Sequence, residues 1–256
     1  MITFPNINPE IARVGPFAVR WYGMMYLFGF ASSYLLVRYQ LNKLGERTLV
    51  DIDSLYSYLI LGLLVGARLG YIVFYNISFY FRHPLELFAV WHGGMSFHGG
   101  LIGCLFAGYM FCRKFKLDFW HTADLIIVTA PVGLAFGRLG NFINGELYGR
   151  TTDVPWAMVF PAGGPVPRHP SQLYELLLEG VVLFVILWTL KARFHKSGML
   201  TALFLVLYGS FRFFLEFFRE PDVQLGYLLG IFTMGQVLCT FMVLAGLFII
   251  YLRKRA

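Results

Sequence analysis

Arg138, Asn141, Asn144 and Glu146 fall within one short run, GRLGNFINGELYGR, at residues 137 to 150. A guanidinium beside two amides and a carboxylate is a set suited to holding an anion. Arginine's planar fork grips phosphate oxygens two at a time. If the phosphate is also a leaving group, the same fork stabilises the charge that grows on it. The run lies between stretches comfortable only in lipid, where an arginine at the bilayer centre costs roughly 2.5 to 3.5 kcal/mol on insertion scales. Such residues face a bundle interior or a water-filled cavity and tend to mark function.

The elements that must carry this group are apolar throughout. The chain has 256 residues, of which 58% are hydrophobic and 14% charged, with a mean hydropathy of +0.65. A soluble domain carries about 25% charged residues, so this is the composition of an integral membrane protein. The net charge of +7 is spread over separate short loops and offers no basic face for nucleic acid. Cys104, Cys112 and Cys239 lie in apolar runs and are odd in number, which reads as core packing rather than a disulfide framework. The N-terminus, MITFPNINPE, has no basic stretch leading into an apolar run, so no signal peptide is expected.

Apolar segments near 17–37, 52–74, 95–112, 122–140, 173–190, 199–218 and 228–250 approach the roughly 20 residues of a spanning helix. An all-α membrane domain of seven spans is therefore expected over residues 1 to 256. Connections holding Lys43 and Arg47, Arg113 to Lys116, and Lys191 to Lys196, with the tail Arg253 to Arg255, alternate with connections almost free of lysine. The positive-inside tendency makes the lysine face cytoplasmic, with the N-terminus outside and the C-terminus inside. The longer outer connections, near 75–94 and 141–172, should form short amphipathic elements and ordered loops. Gly62, Gly66 and Gly70, Gly99 and Gly103, and Gly133 and Gly137 follow a small-xxx-small spacing whose ordinary use is close helix packing. Arg-Leu-Gly occurs at 68–70 and 138–140, too little to define an internal repeat.

With that topology, Arg68, Arg138 and Arg212 fall in the outer half of the membrane. Arg212 sits about 10 Å below an outer boundary near Arg219, at 1.5 Å per residue. Tyr22 and His98 open inward-running spans at a similar level. Tyr208, Arg212 and Glu216 recur at intervals of four, with Arg219 and Glu220 expected to continue the face. Lipid cannot satisfy such a stripe, so it must face protein or water. The plain structural use of Arg212 and Glu216 is an ion pair that fixes helix packing. For His98, in HGGMSFHGG, it is a helix-start contact, and for His169 a place at the interface. Glu175 and Glu179, one turn apart, should pair with an arginine of a neighbouring helix, and Arg68 either pairs with them or extends the anion site. His92 and His98 are six apart with no further His or Cys to complete a zinc pattern, so no metal and no cofactor is expected. Taken alone, these residues define a polytopic protein with an anion site at the outer leaflet.

The run GRLGNFINGELYG resembles the signature of the prolipoprotein diacylglyceryl transferases of bacterial inner membranes. WYGMMY at 21–26, GGMSFHGGL at 93–101, RHPSQLYE at 168–175 and YGSFRFFLEFFREPD at 208–222 extend the likeness, in order, over nearly the whole chain. The resemblance implies transfer of the diacylglyceryl group of phosphatidylglycerol to the lipobox cysteine of a prelipoprotein, giving a thioether and glycerol 1-phosphate. It implies that Arg138 and Arg212 hold the phosphate and assist its departure, and that His98 is the general base. Asn141, Asn144, Glu146 and Gly149 would shape the headgroup site, completed by Tyr22, Tyr208, Glu216 and Arg219. Thiol activation by the arginines, with His98 only orienting substrate, is the other possibility. Some relatives carry His in place of Arg20, which receives no role, and some have a longer connection than that between Trp156 and Pro167. Two other classes predict different patterns. A lipid or anionic-solute transporter would distribute polar groups through both membrane halves, and a non-catalytic lipid-binding scaffold would leave His98 and Arg138 without a reaction.

Overall fold

The computed structural model describes residues 2–5, 7–15, 17–45, 50–88, 93–220, 227–228 and 232–255. Arg47, His92, Pro221 and Asp222 lie outside them. In chain order the elements are β1 (Ile2–Thr3), β2 (Glu10–Val14), β3 (Phe17–Arg20), α1 (Trp21–Leu44), α2 (Ile52–Tyr75), α3 (Ile77–Arg82), a 3-10 turn (Pro84–Phe88), α4 (Phe97–Phe115), α5 (Phe119–Ile127) and α6 (Ala130–Ile143). They continue with β4 (Met158–Val159), a second 3-10 turn (Pro161–Gly163), α7 (Ser171–Glu175), a π-helical segment (Leu176–Val182), α8 (Leu183–Leu190), α9 (Met199–Leu215), β5 (Tyr227–Leu228), β6 (Phe232–Thr233) and α10 (Met234–Arg255).

Each of the seven expected apolar segments contains a helix. By length and apolarity, α2, the continuous run Ser171–Leu190 and α10 are long enough to cross a membrane. A fourth forms if α5 and α6, bent by 43°, count as one span. The bend has a local cause: Pro131 opens α6 without an N–H, and Thr129 Oγ1 donates back to the carbonyl of Ile126 at 2.7 Å. Exposed Leu61 on α2 and Phe241 on α10 give these helices an apolar surface that suits lipid.

Packing divides the chain into two compact units, residues 37–123 and residues 1–36 with 124–256. In the first, α2 and α4 meet along the glycines that the spacing marked out. A Cβ on Gly70 would stand 2.7 Å from Gly99 Cα, so no side chain fits that seam. Asp51 caps α2, accepting from Ser54 N and Ser54 Oγ at 3.2 and 2.6 Å. Ser96 caps α4 and donates its own N–H to Ala67 O of α2 at 2.9 Å. The connection after α2 holds α3 and the first 3-10 turn.

In the second unit, a core of Val128, Leu183, Leu187, Leu200 and Phe204 joins α8 to α9. Buried Asp124 caps α9, accepting from Gly198 N, Thr201 N and Thr201 Oγ1 at 2.7, 2.7 and 2.6 Å. The strands are short ladders: β1 runs parallel to β4, β2 pairs antiparallel with β3, and β5 with β6. The sixth segment was expected to stay helical to 218, yet α9 stops at Leu215. Beyond it the backbone turns to pair with the 149–150 stretch, Arg150 N donating to Phe218 O at 2.9 Å.

Candidate active site

Three arginines and three glutamates from separate elements of the second unit form one network. Arg138, near the end of α6, places Nε 2.8 Å from Glu175 Oε2 and donates Nη2 to Glu179 Oε2 at 3.3 Å. Arg212 on α9 donates Nη1 to Glu175 Oε1 at 3.1 Å, brings Nη2 to 2.9 Å from Glu216 Oε2, and lies 3.9 Å from Glu179. Arg219 approaches Glu175 at 3.6 Å. Glu175 therefore serves three guanidiniums at once. Its side chain and that of Glu179 have no exposed surface, whereas Arg138 and Arg212 keep 17% and 13%. The carboxylates hold the arginines from behind, and the accessible edge of the group is cationic. A guanidinium has five N–H donors, and among the described residues the ion-pair contacts of Arg138 employ Nε and Nη2.

Local structure explains the convergence. Gly180 lies where a Cβ would stand 2.6 Å from Ala135 Cβ, so the π-helical segment approaches α6 one turn before Arg138 and delivers Glu179 to it. π-helical turns inside α-helices cluster at functional sites. Gly235 makes room for the Glu216 carboxylate, which its Cβ would approach to 2.8 Å. Thr233 donates Oγ1 to Glu216 Oε1 at 3.0 Å and exchanges bonds with Gln236 in a capping box at the start of α10.

The signature run forms a second cluster beside this network. Asn141 and Asn144 both donate to Glu146 Oε1, at 2.9 and 3.1 Å, so the two amides aim an exposed carboxylate. Tyr22 lies within hydrogen-bonding reach of Asn141, and its hydroxyl is 3.2 Å from that of Tyr26. Its ring packs on Gly140, where a Cβ would come within 3.0 Å. Buried Gln172 donates Nε2 to Glu146 O at 2.7 Å, and its own Oε1 has no hydrogen-bond partner among the described residues. Gly149 is a backbone joint. Its N–H donates to His169 O at 2.8 Å, and a Cβ there would reach 2.7 Å from His169 Cβ. Tyr208 stacks on Phe204 at 5.4 Å, within electrostatic reach of Arg138 and Glu179.

The ion pair expected of Arg212 and Glu216 is present, as is the pairing of Glu175 and Glu179 with arginines of neighbouring helices. Arg219 joins the network from the turn beyond α9. Glu220 does not continue that face: it pairs with Arg168 at 3.0 Å, because helical periodicity no longer applies past Leu215. Reading the sequence for arginines left Glu175, Glu179 and Gln172 outside the site. The same spacing of four that marked Tyr208 and Arg212 was available for the two glutamates. His169 lies outside the spans, its Nδ1 3.2 Å from Tyr174 OH, and burial holds its imidazole below the ordinary value. Arg20 pairs with Glu10 at 3.6 Å on the exposed hairpin. His98 belongs to the other unit, where it is exposed in the first turn of α4 against the Phe97 ring. Arg68, in the same unit, donates to four backbone carbonyls of the connection between α2 and α4.

Several helices of membrane-spanning length, with a buried arginine and carboxylate network in the second unit, define a helical membrane protein. The family model of the prolipoprotein diacylglyceryl transferases matches residues 9–252. The chain is similar to proteins named phosphatidylglycerol–prolipoprotein diacylglyceryl transferase. That of Desulfotalea psychrophila is 52% identical, covering 99% of this chain and 97% of its own, and that of Geobacter sulfurreducens is 54% identical, covering 95% and 94%. A third, from Nitratidesulfovibrio vulgaris, is 51% identical over 98% and 96%. The chain belongs to the prolipoprotein diacylglyceryl transferase family.

Proposed function

We propose that this protein transfers the diacylglyceryl group of phosphatidylglycerol to the lipobox cysteine of a prelipoprotein, at the outer leaflet of the bacterial cytoplasmic membrane. The observation that carries this reading is the convergence of Arg138 and Arg212 on one buried carboxylate in a chain matched to the family over residues 9–252. In the reaction, the thiolate sulfur forms a bond to the glyceryl carbon that bears the phosphate. The carbon–oxygen bond breaks, and its electron pair leaves on glycerol 1-phosphate. Negative charge grows on the phosphate, where preorganised donors are each worth about 10²- to 10³-fold in rate.

Arg138 and Arg212 hold the phosphate through their exposed edges. Glu175 and Glu179 keep both forks from swinging, and Tyr208, Glu216 and Arg219 fix Arg212 and the turn behind it. Asn141, Asn144 and Tyr22 aim Glu146 at the hydroxyls of the lipid headgroup, while Gly149 holds that run against the turn after α9. A substrate thiol has a reference pKa near 8.5 and is mostly protonated at neutral pH. His98 takes its proton as general base. The chain acts as a single transmembrane catalytic domain of seven spans, with its N-terminus outside and its C-terminus in the cytoplasm.

The test uses purified protein, phosphatidylglycerol vesicles and a lipobox peptide. The expected result is a peptide heavier by one diacylglyceryl group, with glycerol 1-phosphate released in equal amount. Unchanged peptide mass under conditions where a known transferase works would overturn the reading. Arg138→Lys is expected to lose at least about 10-fold in turnover, because a point charge cannot replace the two-pronged contact. Near-normal turnover would assign Arg138 a packing role.

A further inference from the structure

Arg68 is an arginine within α2, only 5% exposed, that donates to backbone carbonyls on two segments. Its Nη2 donates to Glu86 O, Nε to Leu87 O at 3.1 Å, and Nη1 to both Gly93 O and Gly94 O, the last at 3.2 Å. The Tyr80 ring covers one side of the guanidinium, with Cζ 5.2 Å from the ring centre. One side chain thus grips both ends of the 86–94 stretch. Gly93 and Gly94 stand at φ +82° and +79°, a conformation that costs other residues dearly, and lead directly into Ser96 and α4. A Cβ on Gly94 would meet the Tyr71 ring at 2.6 Å and Arg68 Nη1 at 3.1 Å, so the turn is pressed against the arginine that holds it. His98 is four residues beyond Gly94.

We propose that Arg68 is a positioning residue: by holding the Gly93–Gly94 turn it sets the start of α4 and so the place of the His98 imidazole. This rests on His98 being the base that takes the thiol proton. Between residues 71 and 88, the charged or titratable side chains are Tyr71, Tyr75, Tyr80, Arg82, His83 and Glu86. Lysine cannot replace Arg68, since an ammonium has three donors on one atom and cannot span carbonyls on two segments.

The experiment compares turnover of wild type, Arg68→Lys and His98→Asn with phosphatidylglycerol and a lipobox peptide from about pH 6.5 to pH 10. Below the thiol pKa of about 8.5 a base is needed, and above it the thiolate forms without one. His98→Asn is expected to fall by about 100-fold at neutral pH and to recover toward wild type as pH rises. Arg68→Lys is expected to fall by at least about 10-fold at neutral pH, with the KM for phosphatidylglycerol within twofold of wild type, and to recover over the same pH range. A purely structural arginine would lower the rate by the same factor at every pH. A pH-independent loss in Arg68→Lys, or no loss, beside a recovering His98→Asn overturns the inference alone. A pH-independent deficit in His98→Asn overturns the base assignment, and this inference with it. Tyr80→Leu removes one side of the arginine's cage without removing its charge, and serves if Arg68→Lys does not fold. It should show a smaller deficit that closes in the same way, and a constant deficit would count against the proposal.

Discussion

Glu175 holds the site together, and its contacts rank the residues around it. Removing one partner of a buried ion pair costs about 3 to 5 kcal/mol, because the remaining charge is left uncompensated in low dielectric. Glu175 faces Arg138 at 2.8 Å, Arg212 at 3.1 Å and Arg219 at 3.6 Å, whereas Glu179 reaches Arg138 at 3.3 Å and Arg212 only at 3.9 Å. Glu175→Gln should therefore lower both the melting temperature in detergent and the turnover more than Glu179→Gln does, with at least a 10-fold loss of activity, roughly the effect of misaiming one transition-state donor. Equal effects would mean that the two carboxylates share the arginines evenly, against the geometry. The arginines were legible in the sequence because a charge in an apolar run has few explanations. The sharing of one carboxylate among three of them was not, since it depends on three elements meeting and on rotamers that no spacing specifies.

Among the elements, the helices followed from apolar runs of spanning length, and the α2–α4 seam from glycines four apart. The segment Leu176–Val182 did not. Its leucines and glutamate are ordinary helix formers, its glycine and valines poorer ones, and nothing in that order specifies a π-helical turn, a rare feature of functional sites. Gly180 is the one visible trace of that fit, as it lets the segment touch Ala135. Gly180→Val would force a side chain into a contact already at van der Waals distance, an overpacking that costs about 1 to 3 kcal/mol. The segment would move off α6 and draw Glu179 from Arg138. The expected outcome is a protein that still assembles in the membrane, melts lower and turns over more slowly. Gly137→Ala makes the control on α6, because a Cβ there meets nothing within 4 Å, and should leave both measurements near wild type. If Gly180→Val behaved like that control, the close approach would have no part in aiming Arg138.

For the molecule as a whole, the pattern of lysines carries an argument that helix geometry alone cannot. Six lysines, at 43, 114, 116, 191, 196 and 254, lie at or just beyond alternate ends of the apolar segments. Uniform placement on one face is what the positive-inside tendency produces, since short basic loops resist translocation. The signature run and the start of α4 fall on the opposite ends of their segments, so both should open to the outer side. A variant with Cys104, Cys112 and Cys239 replaced by alanine, carrying one new cysteine at a time, tests this with a membrane-impermeant maleimide on intact spheroplasts. His98→Cys and Glu146→Cys, both exposed, should label at once, and Lys116→Cys and Lys254→Cys only after permeabilisation. Labelling of Lys116→Cys from outside would invert the topology. That would place the phosphate site where a prelipoprotein thiol emerging from the membrane could not reach it. Vesicles of phosphatidylglycerol added to the solubilised protein should slow labelling of Glu146→Cys more than that of Lys254→Cys, because only the former lies in the proposed headgroup site. Equal protection of the two would mean that the lipid coats the protein without entering the arginine site.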